Sequence, residues 1–445
     1  MPSTLQKRLL DQPYQGYAYA YPHKMAYRHF PDPIPLQEVW RDEDKSSLYL
    51  YVHLPFCEMR CGFCNLFTTT NPKDDLVSRY LKAVDLQLAS TGEALGDSMR
   101  FSRGAFGGGT PSFLSVDELN ALFESINRHL GPTPAGMPAS FELSPATVTK
   151  EKLQLLKARG ITRLSIGVQS FLHEETKVLG RPQSIPQVHD TLTLMRQAGF
   201  PVMNIDLIYG AEIQTPESWV ESIRMALKYQ PEELYLYPLY VRPLTGLEKI
   251  GRTPADHRLE LFRAGRDYLR ENGYRQISMR LFRKESAPDE NDSLEGPVYC
   301  CQEDGMVGIG AGARSYTNDI HYCTEYAVGR SGIQEIIDDY IGRSRDDHSH
   351  AVFGCRLSEE EQRRRFIMKS LLRAEGLSFA DYDSQFNGAL LSDFPELLDL
   401  KTEGLASLSD LKIELNDAGI ERSDTIGPWL FSTEMTTRME HYELT

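Results

Sequence analysis

The chain has 445 residues, 41% of them hydrophobic, with 48 lysines and arginines against 63 aspartates and glutamates for a formal charge of −15. That length and apolar content exclude collagen-like, low-complexity and small disulfide-stapled proteins, and predict two or three domains or one large barrel with an appendage. The carboxylate excess repels phosphate backbones and anionic membranes, which argues against nucleic acid as a partner.

Residues 1–45 are rich in Tyr and Pro without a clear period, and are expected to form an extended arm that wraps another part of the molecule. Their first segment, MPSTLQKRLLDQ, lacks the apolar run of a secretory signal. No stretch approaches the roughly 18 apolar residues of a membrane span. The expected location is therefore the cytoplasm, where the seven cysteines stay reduced.

From Ser47 onward β-rich runs alternate with amphipathic stretches. The predicted strands are 48–53, 101–106, 140–143, 164–168, 202–208 and 234–237. Between and after them, helices are predicted over 75–90, from Ser115 (an S-x-x-E capping box with Glu118), and over 150–159, 188–198, 217–229 and 257–271. Gly160 and Gly273 stop two of them. Strict alternation implies parallel strands with right-handed crossovers. The expected fold is α/β, a partial (β/α)6 TIM-like barrel, with an open doubly wound sheet as the competing layout.

After Gly273 the rhythm weakens. A further strand is predicted at 276–279, a polar loop at 287–296 and a small-residue stretch at 307–313. From residue 357 a separate unit is expected, opening with a helix capped by Ser358 and Glu361 and containing an apolar segment at 408–415. The resulting division is an arm (1–45), a core (46–280), a barrel extension (281–350) and a small, mostly helical, winged-helix-like C-terminal domain (351–445).

The chemistry concentrates at Cys57-x3-Cys61-x2-Cys64, in the loop beyond the first strand, at the end of a barrel where active sites gather. Three thiolates satisfy three irons of a cubane cluster that normally takes four ligands. The open iron then chelates a ligand carrying an amino and a carboxylate group. A zinc site completed by His53 is the rival reading, although His53 lies in the strand, where a backbone-directed role is expected instead; three buried core cysteines are the plain reading. Gly107, Gly108, Gly109 and Thr110 follow the second strand, where backbone N–H groups can meet a carboxylate. Glu142 and Gln169 end the third and fourth strands, and Asp206 lies within an apolar fifth. A carboxylate there is costly unless it is hydrogen-bonded.

YVHLPFCEMRCGFC (51–64) resembles the signature of radical S-adenosylmethionine (SAM) enzymes. More closely, it resembles the branch holding oxygen-independent coproporphyrinogen III dehydrogenase and its heme-chaperone relatives. The resemblance continues through GGGTPS (107–112), SIGVQSF (165–171), NIDLIYG (204–210) and GIGAGARS (308–315). It implies that Cys57, Cys61 and Cys64 hold a [4Fe–4S] cluster, with one SAM, or two, bound beside it. Tyr51 and Phe63 would flank SAM, Gly108, Gly109 and Thr110 would meet its methionyl amino group, and Arg181 its carboxylate. Glu142, Gln169 and Asp206 would take its polar groups. Tyr237, Leu239 and Tyr240 would line the adenine pocket and approach a second SAM, with Gln302 near that second site.

The implied activity is reductive cleavage of SAM to a 5′-deoxyadenosyl radical and oxidation of a small-molecule substrate, a porphyrinogen-like tetrapyrrole. Electrons would come from a donor such as flavodoxin or ferredoxin. SAM-dependent carbon methylation and a heme-binding chaperone with little turnover are the alternatives. Asn65-Leu66 stands where the coproporphyrinogen enzyme has a further cysteine, and Arg314-Ser315 where the chaperones have His-Ser. The segment 14–28 resembles the arm of the former, so the chain mixes features of both. Cys300, Cys301, Cys323 and Cys355 lack C-x2-C spacing and are read as buried rather than as a second cluster, with Cys300-Cys301 the pair nearer substrate.

Overall fold

A computed structural model describes residues 4–11, 13–73, 75–131, 137–255, 257–287 and 304–443. Six strands form the core: β1 (Leu48–Leu54), β2 (Phe101–Gly108), β3 (Ala139–Leu143), β4 (Arg163–Gln169), β5 (Val202–Tyr209) and β6 (Glu233–Pro238). They pair in chain order and every pairing is parallel. Each is followed by a helix: α1 (Leu76–Leu95), α2 (Val116–Leu130), α3 (Lys150–Ala158), α4 (Ile185–Ala198), α5 (Pro216–Leu227) and α6 (Arg258–Glu271). This is the expected partial (β/α)6 arrangement. The strands are buried nearly throughout, because helices cover one face and the barrel interior the other. The predicted capping box is present, with Ser115 and Glu118 closing the start of α2 reciprocally.

The sheet continues past both edges of this core. Beside β1 lies Met306–Ile309, parallel to it, followed by the antiparallel strands Arg314–Tyr316, Ile320–Cys323 and His350–Arg356. Beside β6 lie Leu281–Lys284 and Tyr274–Gln276. The strand expected at 276–279 is thus displaced to Tyr274–Gln276. The Ser278 hydroxyl accepts from the Arg280 and Leu281 N–H groups at 3.3 and 3.2 Å, which turns the chain at that point. The loop expected at 287–296, beyond Ala287, lies outside the described residues, as do Cys300, Cys301 and Gln302.

The N-terminal arm departs from the extended form expected of it. Thr4–Leu9 is helical, and Arg28–Pro35 is a strand at the outer edge of the sheet, antiparallel to His350–Arg356. Its prolines hid it: Pro cannot donate to a ladder and is tolerated only where one side faces solvent. Between these elements the arm crosses the C-terminal region. Gln15 and Gly16 donate backbone N–H groups to the Asp424 carbonyl at 3.2 and 3.1 Å. Arg365 grips the Tyr21 carbonyl at 2.6 Å, and the Tyr21 ring packs 4.9 Å from Phe431.

In the C-terminal region Ser358 caps the helix Glu359–Leu371. The apolar 408–415 segment becomes two strands, Ala406–Leu408 and Lys412–Leu415, in a three-stranded sheet with Leu377–Ser378. Among the described residues no helix is long and apolar enough to cross a membrane.

One buried ion pair ties the three regions together. Arg280 Nη2 lies 2.6 Å from Asp424 Oδ2, with the two side chains 4% and 0% exposed. Tyr17 and Tyr19 of the arm cover the guanidinium at 4.9 and 5.7 Å. Removing one partner of such a pair strands a buried charge. Asp424→Asn is therefore expected to destabilise the apoprotein by about 3–5 kcal/mol, read as a clear fall in its thermal unfolding midpoint by circular dichroism.

Candidate active site

The cysteine loop leaves β1 and is fastened on both sides. Towards β2, Gly109 N–H donates to Leu54 O at 2.8 Å and Thr110 N–H to Phe56 O at 2.7 Å. Thr110 Oγ1 reaches Cys57 Sγ at 3.5 Å. Towards the opposite wall, Gly62 N–H donates to Gly180 O at 3.0 Å, and Leu247 N–H to Gly62 O at 2.8 Å. Arg181 Nη1 donates to Cys61 Sγ at 3.0 Å while its Nη2 holds the Gly167 carbonyl at 2.7 Å. Cys61 and Cys64 are joined by a 3.1 Å backbone bond. Burial pushes the Cys57 thiol up to about 12, with the charges of Cys64, Glu58 and Cys61 adding to it. Positive charge from bound iron would reverse that direction, since metal ligation requires the thiolate.

His53 does not complete a zinc site. Its Nε2–H donates to the Phe67 carbonyl at 3.0 Å and its Nδ1 accepts from the Tyr51 hydroxyl at 3.3 Å. Burial pushes it down to about 4, so the ring is neutral. Among the described residues no three His, Cys, Asp or Glu side chains converge on one metal ion. Thiols spread around a loop suit a cluster whose irons each take one.

Below this loop the lumen carries two carboxylates. Glu142 on β3 and Asp206 on β5 are enclosed by protein yet keep accessible surface, because they face the hollow interior. Burial, and then the charge of Asp206, push Glu142 up to about 7, against a hydrogen bond from Gly108 N–H. Burial pushes Asp206 up to about 6, against hydrogen bonds from Asn204 at 2.7 Å and Ser165 at 3.4 Å. Gln169 ends β4 with φ 68°, a left-handed conformation costly for a side-chain-bearing residue. A register shift between Gly167 and Gln169 accompanies it. The buried Oε1 of Gln169 and Oδ1 of Asn204 have no partner among the described residues.

The third wall is apolar. Phe63 and Tyr237 pack against Leu179, Ile208, Ala211, Leu239 and Leu247 in one cluster. Tyr237 stacks on Tyr235 with ring centroids 5.7 Å apart. Tyr51 packs separately, against Tyr49, Ala105, Met306 and Tyr316. Tyr240 turns away, its hydroxyl donating to Asp424.

The structure therefore gathers Cys57, Cys61, Cys64, Thr110 and Arg181 around one loop, and Phe63, Tyr237 and Leu239 on one wall. Gly108 and Glu142 meet beneath, with Asp206 nearby. These residues fit a cluster and a zwitterionic cofactor. One of the three thiols, Cys61, meets the Arg181 guanidinium, and amide oxygens and carboxylates in the lumen offer acceptors to hydroxyl or ammonium donors. The backbone-directed role expected of His53 is met by its bond to the Phe67 carbonyl; sequence reading missed the Gly62–Gly180 contact. A β-carbon on Gly62 would come within 2.9 Å of Leu179 O and 3.1 Å of Gly180 Cα. The one available signal was the pairing of two glycines in separate loops, LGR and RCGFC.

The chain is similar in sequence and in fold to known proteins. The radical SAM superfamily model matches residues 51–226. The heme chaperone HemW of Bacillus subtilis is 28% identical over 382 residues, covering 83% of this chain and 95% of that protein. The oxygen-independent coproporphyrinogen III oxidase of Escherichia coli K12 is 26% identical over 428 residues, covering 91% and 90%. The structure of coproporphyrinogen III oxidase (HemN) from Escherichia coli superimposes with a TM-score of 0.78 at 24% identity, covering 93% of this chain and 96% of that one.

Two outcomes follow from the site. A methyl group at Gly109 would lie 2.6 Å from Phe56 O and 3.0 Å from Cys57 Sγ. Gly109→Ala should therefore lower iron and sulfide per chain after anaerobic reconstitution to under half of wild type, with the far-ultraviolet spectrum unchanged. Because Glu142 is raised in the folded state, its stabilising contribution is complete below about pH 4.5. It is lost as pH rises through about 7. Urea unfolding of the apoprotein should show Glu142→Gln more stable relative to wild type at pH 8 than at pH 5.

Proposed function

As this chain belongs to the radical SAM superfamily, whose cofactors are a [4Fe–4S] cluster and SAM, we propose that Cys57, Cys61 and Cys64 hold the cluster and that the enzyme acts on a carboxylate-bearing tetrapyrrole. The bound cofactors supply reductive cleavage of SAM to a 5′-deoxyadenosyl radical; the chain's own residues orient them and keep water out. Arg181, already beside Cys61 Sγ, offers a guanidinium fork to the SAM carboxylate. Gly108, Gly109 and Thr110 line the approach of its amino group. Glu142, Asp206 and Gln169 offer acceptors to its ammonium and ribose hydroxyls, while Phe63, Tyr237 and Leu239 line the adenine side; Tyr51, in a separate cluster, and Tyr240, turned to Asp424, stand apart from that wall. The observation that carries this reading is the enclosed thiol loop, pinned across the mouth of a lumen that holds two carboxylates and two unpartnered amide oxygens.

For the tetrapyrrole, support comes from the named activities of the relatives, coproporphyrinogen III oxidase and heme chaperone. The first form of the reaction is oxidation of a porphyrinogen-like substrate, with electrons from a flavodoxin- or ferredoxin-type donor. Asn65, standing where the coproporphyrinogen enzyme has its extra cysteine, favours a second form, SAM-dependent carbon methylation of the tetrapyrrole.

The test is anaerobic turnover of reconstituted protein with dithionite and SAM, with and without coproporphyrinogen III. Stimulated 5′-deoxyadenosine formation, abolished in Cys57→Ala, is expected. S-adenosylhomocysteine among the products selects methylation. No 5′-deoxyadenosine under any condition overturns the radical reading.

A further inference from the structure

Arg181 is half-buried and held at three points. Its Nη2 donates to the Gly167 carbonyl at 2.7 Å, its Nε to Gln183 Oε1 at 3.1 Å, and its backbone N–H to the Thr176 carbonyl at 2.8 Å. Gln183 is anchored in turn, its Nε2 donating to the Val168 and Ser170 carbonyls at 2.8 and 3.1 Å. Gly167 lies where β4 shifts register against β5, an irregularity of the kind that redirects a strand's groups. Nη1 is left to donate to Cys61 Sγ at 3.0 Å. No carboxylate among the described residues takes this guanidinium. Half-buried Arg196, by contrast, meets Glu232 at 2.9 Å. The cysteine sulfurs are therefore not equivalent. Cys57 Sγ faces a neutral hydroxyl, from Thr110 at 3.5 Å. Cys61 Sγ faces a full positive charge at shorter range, and a guanidinium keeps that charge at every working pH.

We propose that Arg181 sets the reduction potential of the cluster through the Cys61 sulfur, apart from any contact it makes with SAM. One electron from the flavodoxin- or ferredoxin-type donor enters a site that already bears three thiolates. A cation bonded to one of those sulfurs stabilises the added negative charge, so it raises the potential. Net charge and hydrogen bonds to sulfur are two of the quantities that set such potentials. A charge-assisted hydrogen bond is about twice as strong as a neutral one, which gives Arg181 more weight than Thr110. The anchored fork keeps the charge at one distance from Cys61. Arg181 is a positioning residue in this role, since it acts through Cys61. The inference rests on the reading that Cys57, Cys61 and Cys64 hold a [4Fe–4S] cluster.

The experiment uses the full chain, anaerobically reconstituted, as wild type, Arg181→Gln, Arg181→Lys and Thr110→Val. Iron and sulfide are counted in each. The midpoint potential is then read by electron paramagnetic resonance in a dithionite titration without SAM, so that the carboxylate contact plays no part. Arg181→Gln should make reduction about tenfold less favourable, a fall of about 59 mV for one electron. Arg181→Lys, which keeps the charge and loses the fork, should recover part of that fall, and Thr110→Val should shift the potential less than Arg181→Gln does. An Arg181→Gln potential equal to or above that of wild type, no recovery in Arg181→Lys, or a fall matched by Thr110→Val overturns the proposal. If Arg181→Gln takes up no cluster, Arg181→Lys decides: a potential below wild type supports the proposal and an unchanged one overturns it. Loss of the cluster from both variants assigns Arg181 to assembly and overturns it as well. Wild type without a cluster fails the cluster reading itself, whereas loaded proteins of equal potential leave that reading standing and fail only this one.

Discussion

Everything at the mouth of this barrel hangs on the way one short loop is pinned. The loop from Cys57 to Cys64 has almost no regular structure of its own. It is held by backbone hydrogen bonds to the turn after β2, to Gly180 beyond β4 and to Leu247 beyond β6. Loops from three sides of the barrel thus fix three cysteines that local sequence leaves free. Gly62 makes this possible, because its bare α-carbon lets two backbones meet where any side chain would push them apart. Without that contact, neither the reach of Arg181 to Cys61 nor the apolar wall beside Phe63 would have a fixed place.

Electrostatically the lumen is set by two carboxylates. Glu142 and Asp206 face it, both raised by burial. The charge of Asp206 adds to the rise of Glu142, so a cationic group brought close to the pair would favour the charged form of both.

Much of the core was legible because its signals are local. Strands buried on both faces read as apolar runs, helices between them kept their period, and the six units followed each other without interruption. The strand ends moved by a few residues at most, as when β2 ran on into Gly107-Gly108. What was hidden depends on partners far along the chain. Arg28–Pro35 is a strand only because His350–Arg356 lies beside it and the outer side faces solvent. Tyr274–Gln276 is placed by a serine turn that the period-two pattern does not encode. At the site, the cysteines announced themselves by spacing. His53 pointed to a backbone-directed role by its place in the strand, and the Phe67 carbonyl and Tyr51 hydroxyl occupy both its ring nitrogens.

The pairing of Arg28–Pro35 with His350–Arg356 also sets an order in time. An earlier strand docks onto a much later one, so the edge strand has no partner until the ribosome has passed residue 356. The six β/α units need only neighbours near in sequence and can assemble well before that. The arm also bonds to Asp424 and Arg365, so its docking is complete only once the C-terminal region has followed the barrel.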